Sequence, residues 1–100
     1  MIRAIIIEDE KKSRETLNGL LARFCKNVEV IAEADGFNSG LEAIRNNKPD
    51  VIFLDIQMPD GSGFRLLEHI EKINFEIIFT TAFDHYAIKA IKYSALDYLL

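Results

Sequence analysis

One hundred residues, 49% hydrophobic and 28% charged, make one domain with room for a real core and exclude a disordered chain. A formal net charge of −4 argues against non-specific attraction to nucleic acid or to an anionic membrane. Cys25 is the single cysteine, which excludes a disulfide framework, and no apolar run approaches the length of a membrane span. The opening MIRAIIIEDE turns acidic too early for a secretory leader, so a cytoplasmic location is expected.

The chain opens with a strand over Ile2–Ile7, β-branched and unbroken at Ile5-Ile6-Ile7, as a strand covered on both faces requires. Glu8-Asp9-Glu10 ends it, and Asp9 or Glu10 is placed to cap the helix that follows. That helix carries Leu17, Leu20, Leu21 and Phe24 at the spacing of one apolar face, with Lys11, Lys12, Arg14 and Glu15 expected in solvent. Cys25 is expected to fill core space at its end.

Val28–Ala34 alternates in part and predicts a half-exposed strand at the sheet edge. A second helix runs to about Asn46, buried through Leu41 and Ile44 with Phe37 and Gly40 near its start, and Asn47-Lys48-Pro49 stops it. Residues 50–61, DVIFLDIQMPDG, hold the most telling stretch. Val51–Leu54 is apolar without a polar break, and then Asp55 places a carboxylate at the mouth of that strand. Desolvating a carboxylate costs several kcal/mol unless it is paired, hydrogen-bonded or metal-bound, so Asp55 needs a reason. The turn Met58-Pro59-Asp60-Gly61 follows, with Pro59 and Gly61 shaping the exit.

A third helix is expected over residues 62–73, with Phe64, Leu67 and Ile70 inward and His69 in its middle. Glu76–Thr80 is a fourth strand, ending in Thr80-Thr81-Ala82. Asp84 is placed to cap a fourth helix, inward through Ala87, Ile88, Ala90 and Ile91 and wet at Lys89 and Lys92. Residues 96–100 make a fifth strand. Strands alternating with helices imply a doubly wound α/β fold with a parallel sheet and right-handed crossovers.

In such folds ligands gather at the carboxyl ends of the strands, where connections diverge to opposite faces. The first strand supplies Glu8 and Asp9 there, the third Asp55 with the Gln57 backbone carbonyl beyond it, and the fourth Thr80 and Thr81. If these strands are neighbours, three carboxylates and a hydroxyl share one patch. Packed carboxylates raise one another's pKa, and a divalent cation relieves the conflict. An all-oxygen donor set suits Mg²⁺ or Mn²⁺. A carboxylate is also a competent nucleophile toward phosphorus, giving an acyl phosphate while a metal screens the incoming anion. The plain alternative is three solvated acids at an open sheet edge.

Other chemistries lack their parts. Neither GxGxxG nor GxxxxGK[ST] is present, so dinucleotide and P-loop cradles are missing. His69 and His85 have no ligand spacing to another His or Cys, and Ser94 has no nucleophile-elbow context.

With the acidic pair, FLDIQMPDG and the strand-ending TTA placed, the whole chain closely resembles the receiver domain of bacterial two-component response regulators. The resemblance implies a flavodoxin-like (CheY-like) doubly wound sheet of five parallel strands in the order 2-1-3-4-5. It further implies Mg²⁺ on Glu8, Asp9, Asp55 and the Gln57 carbonyl, with Asp55 as phosphoacceptor. Thr81, with Ala82 after it, would hold the phosphoryl group, and Tyr98 would be the aromatic switch in the last strand.

What the resemblance implies functionally is a signalling phosphoacceptor, not an enzyme beyond its own phosphorylation and slow dephosphorylation. Its partners would be a sensor histidine kinase and a second copy of the chain, joined through the fourth helix and fifth strand. The segment AFDHYAIKAIKYSALDYLL resembles receivers joined to LytTR-type DNA-binding domains, which implies a transcriptional output beyond this domain; the domain itself would touch no DNA. One departure stands out. The family's lysine after the fifth strand, and its fifth helix, would follow Leu100, so residues 1–100 are expected to be a receiver truncated at its C-terminus. The alternatives are a pseudo-receiver that binds proteins without phosphorylation and a small Mg²⁺-dependent phosphatase, for which no general acid is found.

Overall fold

The computed structural model describes residues 1–80 and the backbone of residues 95–99. Their elements are β1 (Ile2–Ile7), α1 (Lys11–Phe24), β2 (Val28–Ala34), α2 (Phe37–Asn46), β3 (Val51–Leu54), β4 (Gln57–Met58), β5 (Gly61–Ser62), α3 (Gly63–Glu68), β6 (Glu76–Thr80) and β7 (Ala95–Leu99). The expected fourth and fifth strands are thus β6 and β7. The expected fourth helix, with Asp84, Lys89 and Lys92, lies outside the described residues, as do His85 and Ser94.

The main sheet has the order β2-β1-β3-β6-β7, and each neighbouring pair is parallel. This is the doubly wound order that the resemblance implies. The unbroken apolar runs take the middle positions because both faces of the sheet are covered there. Ile5, Ile7, Ile52, Leu54, Ile77 and Phe79 face one cluster, completed by Ile44 of α2 and Phe64, Leu66 and Leu67 of α3. Ala4, Ile6, Val51 and Phe53 face the other, against Leu21 of α1, with Leu17, Cys25 and Ile78 packed beside them. Alternate residues of one strand thereby feed two cores.

Several local expectations are corrected. On α1, Leu21 is buried and Leu17 half-buried, whereas Leu20 and Phe24 keep 50% and 70% of their surface exposed. The inward stripe runs through Arg14, Leu17, Leu21 and Cys25, rotated from the one expected, so Arg14 does not lie in open solvent. Glu10 is the N-cap residue of α1, but no side chain accepts the capping bond. The Asp9 carboxylate faces the acids at the sheet instead. Helix α3 is shorter than expected. Ser62 caps it by accepting the Arg65 N–H at 3.1 Å, and His69 is its C-cap residue, with its ring Nδ1 2.8 Å from the Arg65 carbonyl. His69 therefore closes the helix and does not sit within it.

Between β3 and α3 the chain makes a small antiparallel hairpin, Gln57 opposite Ser62 and Met58 opposite Gly61, with Pro59-Asp60 at its tip. Gly61 has φ +152°, and a Cβ there would stand 2.6 Å from the Phe37 ring, so both conformation and space demand glycine.

Candidate functional site

Backbone pairing builds the site. The β1–β3 ladder ends with Ile7 opposite Leu54, so the next residues, Glu8 and Asp55, emerge side by side. The Asp55 N–H donates to the Ile7 carbonyl at 2.9 Å, and the Glu8 N–H to the Ala34 carbonyl of β2 at 3.0 Å. After β1 the chain turns to α1 on one face, and after β3 to α3 on the other. The acids thus occupy the point where connections diverge.

One carboxylate oxygen from each of Glu8, Asp9 and Asp55 lies within 4.8 Å of the others. Asp55 retains only 9% of its exposure. Burial, then hydrogen bonding and repulsion from Glu8, then Asp9, push its carboxyl up to about 8. Burial also raises Glu8 above the usual carboxylate range, while its hydrogen bond with Asp55 opposes that rise. In the metal-free chain the Glu8–Asp55 pair therefore titrates as a unit, and the crowding of its carboxyls favours keeping a proton between them. The ion pairs of Lys11 with Glu15 and of Arg14 with Glu33 do not reach the carboxylates of this cluster.

Supporting contacts fix the acids from behind. The Gln57 N–H approaches Asp55 Oδ1 at 3.4 Å, which holds the start of the hairpin against the carboxylate. Gly63 packs so closely that a Cβ there would meet the Asp55 carbonyl oxygen at 2.5 Å, and its N–H donates to the Ile56 carbonyl at 2.8 Å. The Arg14 guanidinium donates through Nη1 to the carbonyls of Glu8, at 2.7 Å, and Asp9, at 3.3 Å.

The donor set fits a divalent hard cation: three close carboxylates, one of them nearly buried, whose mutual crowding raises the Asp55 and Glu8 carboxyls above their usual range. Thr80 closes β6 level with Asp55, since Phe79 pairs with Leu54 in register. Thr81, Ala82 and the Tyr98 side chain lie outside the described residues; the backbone of residue 98 pairs with Phe79 in β7. Sequence reasoning missed Arg14 and Gly63. The spacing of Arg14 from Leu17 and Leu21, three and seven residues, is the signal that places it on the inward face.

The family model for the response regulator receiver domain matches residues 4–100. The chain belongs to the response regulator receiver family. Receivers of this family are signalling phosphoacceptors that sensor histidine kinases phosphorylate, and they bind Mg²⁺ at an acidic site. The sensory transduction protein LytT of Bacillus anthracis is 42% identical over 102 residues, covering 100% of this chain and 41% of LytT. The transcriptional regulatory protein BtsR of Escherichia coli K12 is 41% identical over 101 residues, covering 100% of this chain and 42% of BtsR. The receiver thus spans about two fifths of the length of these curated relatives. Among solved structures, response regulator TrrA of Thermotoga maritima, in complex with Mg²⁺-BeF, superposes with a TM-score of 0.85 at 28% identity, over 100% of this chain and 86% of TrrA. No helix among the described residues of the receiver is long and apolar enough to cross a membrane.

Proposed function

We propose that residues 1–100 form the receiver domain of a longer transcriptional regulator, and that Asp55 is its phosphoacceptor. The observation that carries this is the convergence of Glu8, Asp9 and Asp55 within 4.8 Å at the mouths of β1 and β3, with Asp55 nearly buried. Glu8, Asp9, Asp55 and the Gln57 backbone carbonyl would hold Mg²⁺, with Mn²⁺ an acceptable substitute for an all-oxygen set. When bound, the cation supplies charge that neutralises the carboxylates and the transferring phosphoryl oxygens.

The chain's own residues do the rest. Asp55, freed of its proton, attacks in line with an oxygen lone pair. An O–P bond forms to its carboxylate, the N–P bond of the kinase phosphohistidine breaks, and the imidazole nitrogen leaves with the electron pair and takes up a proton. Buried Ile56 and Leu54 on either side limit the water that would hydrolyse the acyl phosphate. Thr81, followed by Ala82, would hold a phosphoryl oxygen, and Tyr98 would repack in response. That rearrangement would bias a two-state equilibrium of the expected fourth helix and the last strand, the face through which two copies would pair. The likeness to BtsR, a transcriptional regulatory protein, supports a transcriptional output, which we take to be DNA-binding, beyond the receiver.

Labelling with acetyl phosphate or a phosphorylated histidine kinase tests the assignment. The wild type is expected to take up acid-labile, hydroxylamine-sensitive label only with Mg²⁺, and Asp55→Asn to take up none. Label retained on Asp55→Asn would overturn it.

A further inference from the structure

We infer that Arg14 is the positioning residue of the metal site, fixing the turn from which two of the three carboxylates project. The inference rests on the metal reading of Glu8, Asp9 and Asp55. Arg14 sits in the first turn of α1, a place where a cation opposes the helix dipole and gains nothing from it. Its side chain is nevertheless only 19% exposed. One guanidinium nitrogen, Nη1, donates to the carbonyls of both Glu8 and Asp9, at 2.7 and 3.3 Å, while Nε lies 3.9 Å from the Glu33 carboxylate on β2. The Arg14 backbone N–H also donates to the Glu10 carbonyl at 3.0 Å.

Residues 8–10 are therefore held from both sides. The Glu8 N–H is tied to β2, and the carbonyls of residues 8 and 9 are tied to α1. Holding those carbonyls fixes the peptide planes, and the planes set the direction in which the Glu8 and Asp9 side chains leave the backbone. A turn of three consecutive acids repels itself and would open without such a tie. A metal site tolerates little looseness in its supporting shell, and losing one outer partner weakens metal affinity about 10–100-fold. The ion pair with Glu33 orients the guanidinium more than it stabilises the fold, since Glu33 is 45% exposed.

The test is Mg²⁺ binding by calorimetry on the unphosphorylated chain, read beside thermal stability. Arg14→Met keeps an unbranched apolar side chain on the inward face of α1 and removes the donors; it is expected to bind Mg²⁺ about tenfold more weakly. Arg14→Lys, with an ammonium that reaches the same carbonyls, is expected to recover most of that loss. Ile44→Val, a core change remote from the site, serves as the control for stability alone and is expected to bind as the wild type does. Unchanged or tighter binding by Arg14→Met overturns the inference, tighter binding meaning that its charge merely repels the metal. Should Arg14→Met fail to fold, Glu33→Gln decides: weaker binding supports the positioning role and unchanged binding overturns it. A wild type that binds no Mg²⁺ overturns the metal reading itself, which is a separate result.

Discussion

The Asp60 carboxylate accepts the Phe37 N–H at 2.7 Å, capping α2 from 23 residues further along the chain. Its other oxygen accepts the Asn38 N–H at 3.3 Å. The hairpin that follows Asp55 is thus fastened to the first turn of α2, whose own N-cap residue, Gly36, brings no capping oxygen of its side chain. Asp60→Ala is expected to lower the melting temperature. The bond from Phe37 holds the Asp60 carboxyl below its usual range. A depressed folded-state pKa contributes stability above the ordinary carboxylate range, which is lost as pH falls through the folded value. Circular-dichroism melts should therefore separate wild type and variant at pH 7 and bring them together at strongly acid pH.

Asp55→Asn is expected to stabilise the metal-free chain. The folded-state pKa of Asp55 is raised from 3.8 to about 8, so the folded chain keeps a proton that the unfolded chain releases. Its contribution is fullest below the unfolded value and is lost as pH rises toward 8. Asn cannot ionise, so the substitution removes the cost of charging a buried carboxyl beside Glu8 as pH rises. Urea denaturation should show the variant ahead at pH 8, with the advantage shrinking toward pH 4 and reduced by saturating Mg²⁺.

Mg²⁺ should compete with the proton on Asp55. Affinity is expected to rise with pH up to about 8 and then level off, with up to one proton released per ion bound at neutral pH. Calorimetry in two buffers of different ionisation enthalpy measures that release directly. Asp9→Asn should weaken binding at least tenfold, on the order of the loss seen when a supporting partner is removed.

Gly63→Ala should damage stability and site together. The added methyl would meet the Asp55 carbonyl oxygen at 2.5 Å and Leu54 Cγ at 3.0 Å, so backbone must shift. Overpacking of this kind costs about 1–3 kcal/mol. The matching expectation is weaker Mg²⁺ binding, because the displaced atom belongs to Asp55 itself.

The strands were legible because Ile5-Ile6-Ile7 and Val51–Leu54 are buried on both faces, and uninterrupted apolar side chains are what that burial demands. Asp55 was legible because a carboxylate after such a run has a desolvation cost to explain. Arg14 was misread: a cation in a first helical turn looks solvated until the carbonyls facing it are located. Leu20 and Phe24 fit the period of α1 but lie beyond the width of the stripe that the sheet covers. The capping of α2 by Asp60 joins segments far apart in sequence, and no local pattern encodes it.

The four-residue strand β3 also acts as a ruler. Because residues 51 to 54 are all apolar, either face would accept a slip of one residue, and packing alone does not choose between registers. Asp50 and Asp55 act as the end stops. At one end the Asp50 carboxylate accepts the Arg3 N–H at 2.8 Å, and the Asp50 N–H donates to the Arg3 carbonyl, also at 2.8 Å. At the other end Asp55 must emerge beside Glu8. A single deletion within the ruler, with Asp50 holding its end, would put Ile56 where the carboxylate belongs and carry Asp55 into the fully buried place of Leu54. The length of this one strand therefore ties the integrity of the core to the placement of the acid.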